Sequence, residues 1–150
     1  MVTDALVLPP GAGKLVHLGS LGVRFMLGGD QSEGRLALVE HPLPARSLGA
    51  PVHTHHDEDE FSFVLEREVG LQSGDHVLVA GAGTLVTKPR NVPHAFWNAA
   101  DAPARILELI SPAGFETYFA AMAELFASGP PDPCGSEGWR GAMDFAPQSG

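Results

Sequence analysis

Frequent glycine and proline divide the chain into short apolar segments, and this spacing limits the folds open to it. Of its 150 residues, 18 are glycine and 13 are proline. Short strands separated by turn signals are typical of an all-β sandwich or barrel. A parallel α/β sheet is disfavoured because no helical pattern lies between the apolar runs. The predicted strands are VRFML (23–27), RLALVE (35–40), FSFVLE (61–66), HVLVA (76–80), TLVTK (84–88), HAFWN (94–98) and ARILELI (104–110).

One amphipathic helix is predicted after the strands, at about 112–127. Within FETYFAAMAELFA, large apolar residues recur at helical spacing. We expect this face to pack across the outside of the β-fold, and an exposed interaction helix is the alternative. The residues of the apolar face are Phe115, Phe119, Met122 and Phe126.

The length of the chain suits one domain, which we place at 1–128 and which comprises the β-fold and the helix. The following segment, 129–150, is rich in Pro and Gly and predicts an irregular tail. Trp139, Met143 and Phe145 in this tail could anchor it to the body of the protein or to a second subunit.

Composition excludes several classes of function. A net charge of −9 argues against a nucleic acid partner, because phosphate contacts need basic patches. No apolar run is long enough to span a membrane, and the N-terminus does not resemble a secretory signal, so we expect a cytoplasmic protein. The single cysteine, Cys134, rules out a thiolate cluster and leaves histidine and carboxylate as metal ligands.

The segment PVHTHHDEDEF, residues 51–61, concentrates histidines and carboxylates just before a predicted strand. His53 and His55 would project to one side of an extended segment, because side chains two apart share a face. Glu60 could join them only if a turn or bulge in HDED resets the alternation. His56 would point the other way, towards the surface.

A further histidine, His94, follows a proline-bracketed turn in KPRNVPHAFWN. Together with His53, His55 and Glu60 it could form a mixed nitrogen and oxygen site that suits one divalent ion, Fe, Mn, Ni, Cu or Zn. Such a site keeps a position open for water or substrate. The alternative is a solvated polar loop and a hydrogen-bonded turn histidine.

Two stretches of the chain resemble the motifs of the cupins, a family of small jelly-roll β-barrels. The first motif, His-x-His followed by Glu, is represented by His53, Thr54, His55 and Glu60. The second motif is represented by Gly83, Pro89, Asn91, His94 and Asn98. Arg67 and Asn91 stand where these motifs have glycine, and Asn tolerates positive φ better than most residues. The core motifs span 51–110.

This resemblance implies a double-stranded jelly-roll barrel with one C-terminal helix and a metal held by His53, His55, Glu60 and His94. Glu60 would then be the carboxylate ligand, and it could also act as a catalytic base. Asp57 and Asp59 would either orient the ligands or be solvated acids.

Strand alternation predicts which residues share the pocket with these ligands: Ser62, Val64, Phe96 and Asn98. The pocket would be mainly apolar and would hold a small molecule. The resemblance favours a quercetinase-like, metal-dependent dioxygenase that acts on an enolic, aromatic or diketone-type substrate. A non-redox isomerase, cyclase or decarboxylase and a non-catalytic binding protein are the alternatives. We also expect a homodimer formed through sheet edges.

Overall fold

The structure, a computed structural model, describes residues 4–128. The predicted tail at 129–150, with Trp139, Met143 and Phe145, lies outside the described residues. The elements, in chain order, are β1 (Leu15–Leu18), β2 (Leu21–Leu27), β3 (Ala37–Leu43), β4 (Ser47–His53), β5 (Asp59–Glu66), β6 (Glu68–Ser73), β7 (His76–Gly81), β8 (Leu85–Lys88), β9 (His94–Asn98), β10 (Ala104–Ser111) and α1 (Glu116–Ala127).

The strands form two antiparallel sheets whose inner faces enclose one core. The larger sheet has the order β1-β2-β3-β10-β5-β8 and the smaller has the order β4-β9-β6-β7. From β3 onwards the chain passes repeatedly from one sheet to the other, so that strands distant in sequence, such as β3 and β10 or β4 and β9, become neighbours as in a jelly roll. The expected all-β jelly-roll barrel with one C-terminal helix is confirmed.

All the predicted apolar runs lie in strands, whereas β1, β6 and most of β4 were not predicted. Two of these strands contain a glycine, which in the sequence suggests a turn. A Cβ at Gly70 in β6 would lie 2.1 Å from the indole nitrogen of Trp97, and a Cβ at Gly49 in β4 would lie 2.2 Å from the ring of Phe96. These glycines therefore make room for aromatic rings of β9 and do not interrupt the strands.

The core consists of alternating residues from both sheets. Val39, Val64 and Ile106 of the larger sheet and Val69 and Leu71 of the smaller sheet are completely buried. Alternation with outward polar residues explains why a sheet with one buried face forms from this sequence.

Helix α1 packs against β1 and covers one end of the core. Phe119 is buried, and Phe115, Met122 and Phe126 pack against the core, so the predicted apolar face is confirmed. Among residues 4–128, no helix is long and apolar enough to cross a membrane.

Candidate metal centre

A cavity of about 250 Å³ opens between the two sheets beneath the start of α1. Its wall is mostly apolar, with a few polar side chains that converge on it. Phe115, Tyr118 and Phe119 of the helix segment close one side. The other lining residues are Leu18, Leu21, His41, Gly49, Ala50, Pro51, His53, Thr54, His55, Glu60, Phe96 and Glu108.

Three histidines converge at one side of this cavity and are called here the three-histidine cluster: His53, His55 and His94. His53 at the end of β4 pairs in register with His94 at the start of β9, after an irregularity in the pairing. His55 lies in the turn that follows, and its backbone carbonyl accepts a hydrogen bond of 2.7 Å from the backbone N–H of Asn91. One ligand nitrogen from each ring lies within 4.8 Å of the other two.

The other ring nitrogens of the cluster are fixed by hydrogen-bond acceptors. The Nδ1 of His53 lies 2.7 Å from the Pro51 carbonyl, and the Nδ1 of His94 lies 3.1 Å from the Val92 carbonyl. The Nδ1 of His55 lies 3.4 Å from a carboxylate oxygen of Glu58. The two carbonyls favour hydrogen on the Nδ1 of His53 and His94 and so leave their Nε2 lone pairs directed at the cluster, whereas His55 has a carboxylate near each ring nitrogen.

The Nε2 atoms of the cluster lie close together and have few hydrogen-bond partners. The Nε2 atoms of His53 and His55 are 3.1 Å apart. The Nε2 of His94 is buried and makes no hydrogen bond within the described part of the chain. Burial, with His94 as a neighbour, lowers the pKa of His53 to about 4, so its imidazole is neutral at pH 7. Converging imidazole nitrogens are donors that Fe, Mn, Ni, Cu or Zn ions take, so this cluster fits a divalent ion.

Glu60, the predicted carboxylate ligand, lies directly beside the cluster. Its two oxygens are 3.1 Å from the Nε2 of His55 and 3.3 Å from the Nε2 of His94. One oxygen is also 3.0 Å from the ammonium group of Lys88. Burial opposes ionisation, but Lys88 and the two imidazoles hold the pKa of Glu60 well below its usual value. Glu60 is therefore an anion within reach of the cluster.

Behind Glu60, polar side chains cross the inner face of the larger sheet from β3 through β10 and β5 to β8. This inner polar row consists of His41, Glu108, Ser62, Glu60 and Lys88. Lys88 is 1% exposed and contacts both Glu60 and Glu108, and Ser62 donates to Glu108 at 2.9 Å. Burial raises the pKa of Glu108 to about 7 although Lys88 opposes the shift. Burial would lower the pKa of Lys88, but the two carboxylates raise it.

The predicted pocket residues differ in where they lie. Phe96 lines the cavity, whereas Ser62, Val64 and Asn98 do not. Ser62 is covered by Glu108, to which it donates, and Val64 is packed in the core. The amide of Asn98 donates to the carbonyls of Leu43, Pro44 and Ala102 and so holds two turns together. Strand alternation correctly predicted that these side chains face inward, but it did not predict which of them lie at the cavity.

Of the two alternatives for Asp57 and Asp59, the structure matches solvated acids, since Asp57 is exposed and Asp59 lies at the surface. Asp59 pairs with Arg90 on the surface, at 2.9 Å, and Glu58 is the carboxylate that faces His55. His56 is directed to the Asn91 side chain at 2.9 Å and stays outside the cluster, as expected. Because the turn in HDED rotates the chain, the alternation of side chains along β4 does not predict where these residues point.

Two non-glycine residues take the backbone conformation of the glycines that they replace in the motifs. Arg67, between β5 and β6, has φ 64°, and Asn91, in the turn before β9, has φ 63°. Both angles lie in the left-handed region, which Asn enters more readily than Arg. The turn shapes of the motifs are therefore kept at both places.

The cavity lining also contains residues that sequence reasoning missed. Glu108 belongs to a predicted strand and His41 directly follows one, but only the register of β3, β10 and β5 shows that both face inward. The ring centroid of Phe115 lies 4.2 Å from that of His55 in an edge-on contact. The helix was expected only to pack on the outside of the β-fold, whereas its first residues also form part of the cavity wall.

Comparison with known proteins agrees with this geometry. Residues 41–110 match the cupin domain family. No curated protein sequence matches the chain.

Solved structures share the fold at low sequence identity. A predicted oxalate decarboxylase from Thermotoga maritima is 16% identical with a TM-score of 0.67 and covers 71% of this chain and 99% of its own. The oxalate decarboxylase of Bacillus subtilis, described with Mn(II) centres, is 17% identical with a TM-score of 0.61 over 70% of this chain and 29% of its own. The Fe(II) form of HppE is 18% identical with a TM-score of 0.60 over 73% of this chain and 62% of its own.

Proposed function

We propose that this chain, which carries a cupin domain, binds one divalent metal ion and acts as a dioxygenase-like enzyme on a small neutral enolic, aromatic or diketone-type substrate. The observation that carries the proposal is the orientation of the three-histidine cluster, whose Nδ1 atoms face acceptors and whose Nε2 atoms face one another. Imidazole nitrogens held in this way are arranged to bind a cation between them. The structural relatives described with Mn(II) and Fe(II) support a redox-active ion.

His53, His55 and His94 would hold the ion, and Glu60 would be the fourth ligand. When bound, such an ion supplies Lewis-acid polarisation or oxygen activation next to the substrate. Glu58 orients the ring of His55 from outside the cavity. Glu60 would contribute a negative charge and an acceptor for a substrate proton, and Lys88 fixes its position from behind.

The charges of the cavity favour a neutral substrate. Glu60 and Glu108 both line it, and among residues 4–128 no lysine or arginine does. The nearest cation, Lys88, is already bound to both carboxylates. With the ion bound, an anionic group such as that of oxalate or a sugar phosphate would have to lie on the ion itself, because no side-chain cation lines the cavity, whereas an apolar ring and molecular oxygen both suit the aromatic wall. This is why we favour oxygenase chemistry over a non-redox reaction of an anionic substrate.

Metal analysis tests the site. We expect near-stoichiometric Fe, Mn, Ni or Cu in protein purified without chelator and loss of the metal in His94→Ala. The matched control is His56→Ala, which removes an exposed histidine of the same loop and should keep the metal. Equal metal in both variants, or none in the unmodified protein after anaerobic reconstitution, would contradict the proposed site.

Oxygen uptake tests the reaction. We expect metal-loaded protein to consume oxygen with one or more members of a panel of catechols and β-diketones, and His94→Ala to consume none. Tight binding of these compounds with neither oxygen uptake nor product would instead indicate a binding protein.

We also propose that the protein forms a homodimer. Strands β7 and β8 each form one edge of their sheet, and they expose Val77, Val79 and Leu85. An edge strand with exposed apolar side chains favours pairing with a second chain. Light scattering at micromolar concentration should give twice the monomer mass, and a monomer mass would contradict the proposal.

A further inference from the structure

The cavity has a second polar group, the imidazole of His41, on the side of β3. His41 is only 1% exposed and lines the cavity. Its Nδ1 lies 2.9 Å from the Gly22 carbonyl on β2. A carbonyl only accepts hydrogen bonds, so Nδ1 carries the hydrogen and Nε2 carries a lone pair.

This lone pair lacks a partner among residues 4–128. The only hydrogen bond of the His41 ring is the one from Nδ1. The ring lies beside Phe96 and Phe119, with centroid distances of 5.5 Å to each, and both aromatic residues line the cavity. An acceptor on the cavity wall with no partner from the described residues favours a molecule that brings a donor to it.

The charge state of His41 agrees with an acceptor. Burial lowers its pKa to about 4 against the opposing effect of the Gly22 carbonyl, and the charge of Lys88 adds to the lowering. The ring is therefore neutral at pH 7. A neutral imidazole with its Nδ1 hydrogen engaged can accept one hydrogen bond at Nε2 and can donate none.

We infer that His41 is a specificity-determining residue that accepts a hydrogen bond from the hydroxyl group of a single-ring, phenol-type ligand bound in the cavity. The inference rests on the proposed function because the ligand would share the cavity with the three-histidine cluster. The size agrees, since a dry apolar cavity of about 150 Å³ holds benzene and this cavity measures about 250 Å³. One substituted ring fills it, with the hydroxyl group at His41 and aromatic contacts from Phe96 and Phe119.

The test compares phenol with fluorobenzene, which has nearly the same shape but no donor. Both are titrated into the full-length, metal-free protein in EDTA, and binding is followed by NMR shifts of the protein. We expect phenol to bind about tenfold more tightly than fluorobenzene, the factor that one hydrogen bond gives. His41→Leu should reverse the preference, because the phenol hydroxyl then loses its partner, and His41→Gln should retain it through the amide oxygen.

Glu108→Gln is the control variant, because Glu108 lines the cavity, belongs to the inner polar row and, unlike Glu60, lies outside the proposed metal ligands. Equal affinities in the unmodified protein, or no binding of either probe at millimolar concentration, would overturn the inference. So would a phenol preference that survives in His41→Leu and disappears in Glu108→Gln. If His41→Leu does not fold, the unmodified protein and His41→Gln still decide. Because no metal is present, the outcome is independent of the metal and oxygen tests.

Discussion

Replacing Lys88 by methionine should destabilise the protein strongly, although Met has nearly the same length and apolar stem. The Lys88 side chain is fully buried, with Glu60 3.0 Å away on one side and Glu108 in contact on the other. At an effective dielectric of about 20, one such pair is worth about 5 kcal/mol before desolvation. Removal of one member of a buried ion pair typically costs about 3–5 kcal/mol, because the partner charge stays buried.

We expect a loss of about 3–5 kcal/mol in the free energy of unfolding of Lys88→Met at pH 8. Adding Glu108→Gln should recover roughly half of it, since only one buried carboxylate then lacks a counter-charge. The loss should also shrink as the pH falls towards 7, because without the charge of Lys88 the pKa of Glu108 rises above the value of about 7 that it has in the unmodified protein, and Glu108 takes up a proton. Urea titration with chelator present measures these values without a contribution from bound metal.

The matched control is Arg90→Met, which removes the cation of an exposed pair with Asp59. Exposed pairs contribute little, so we expect less than about 1 kcal/mol. A loss in Lys88→Met no larger than in Arg90→Met, or no recovery on adding Glu108→Gln, would refute the reasoning that Lys88 neutralises the inner polar row.

Three further predictions concern the site and its surroundings. Glu58→Gln should weaken metal affinity by about 10- to 100-fold, measured by competition with a chelator, because the ring of His55 loses the carboxylate that orients it; unchanged affinity would exclude this role. As the pH falls from 6.5 to 4, the unmodified protein should lose about 3 kcal/mol more of its free energy of unfolding than His41→Gln does. The reason is that the unfolded chain protonates His41 near pH 6.5, whereas the folded protein does so only at about pH 4. Parallel pH profiles of the two proteins in urea titrations would contradict this prediction. Gly49→Ala should lower the thermal midpoint by several degrees, because the new Cβ would lie 2.2 Å from the ring of Phe96, and an unchanged midpoint in calorimetry would show that the ring moves aside.

The strands could be predicted where apolar and β-branched residues alternate between turn signals. ARILELI and HAFWN coincide with β10 and β9 because each has one face in the core. Strand β6 was missed because Gly70 suggests a turn in the sequence. Only the structure shows that this glycine leaves room for the ring of Trp97. A close contact between two strands cannot be recognised from the local sequence of either strand.

The site could be predicted in part, for similar reasons. Motif spacing brought His53, His55 and His94 together, because each lies at a strand end or tight turn whose position the motif fixes. His41 was missed because EHPL contains two adjacent polar residues and a proline, so alternation does not say which of them faces inward. Its inward direction follows from its pairing with Ile106 on β10, a contact between distant parts of the chain.

The register of β4 and β9 has a consequence for folding kinetics. His53 and His94 are direct partners across this pair of strands, although they are far apart in sequence. A one-residue slip of either strand would turn its imidazole to the opposite face of the sheet, so only the native register presents the two together. An ion bound there should leave the folding rate almost unchanged, because the long chain segment between the two strands must close before the ligands meet. It should instead slow unfolding, because β4 and β9 cannot separate until the ion dissociates. The metal would then govern the lifetime of the native state more than the speed at which that state is reached.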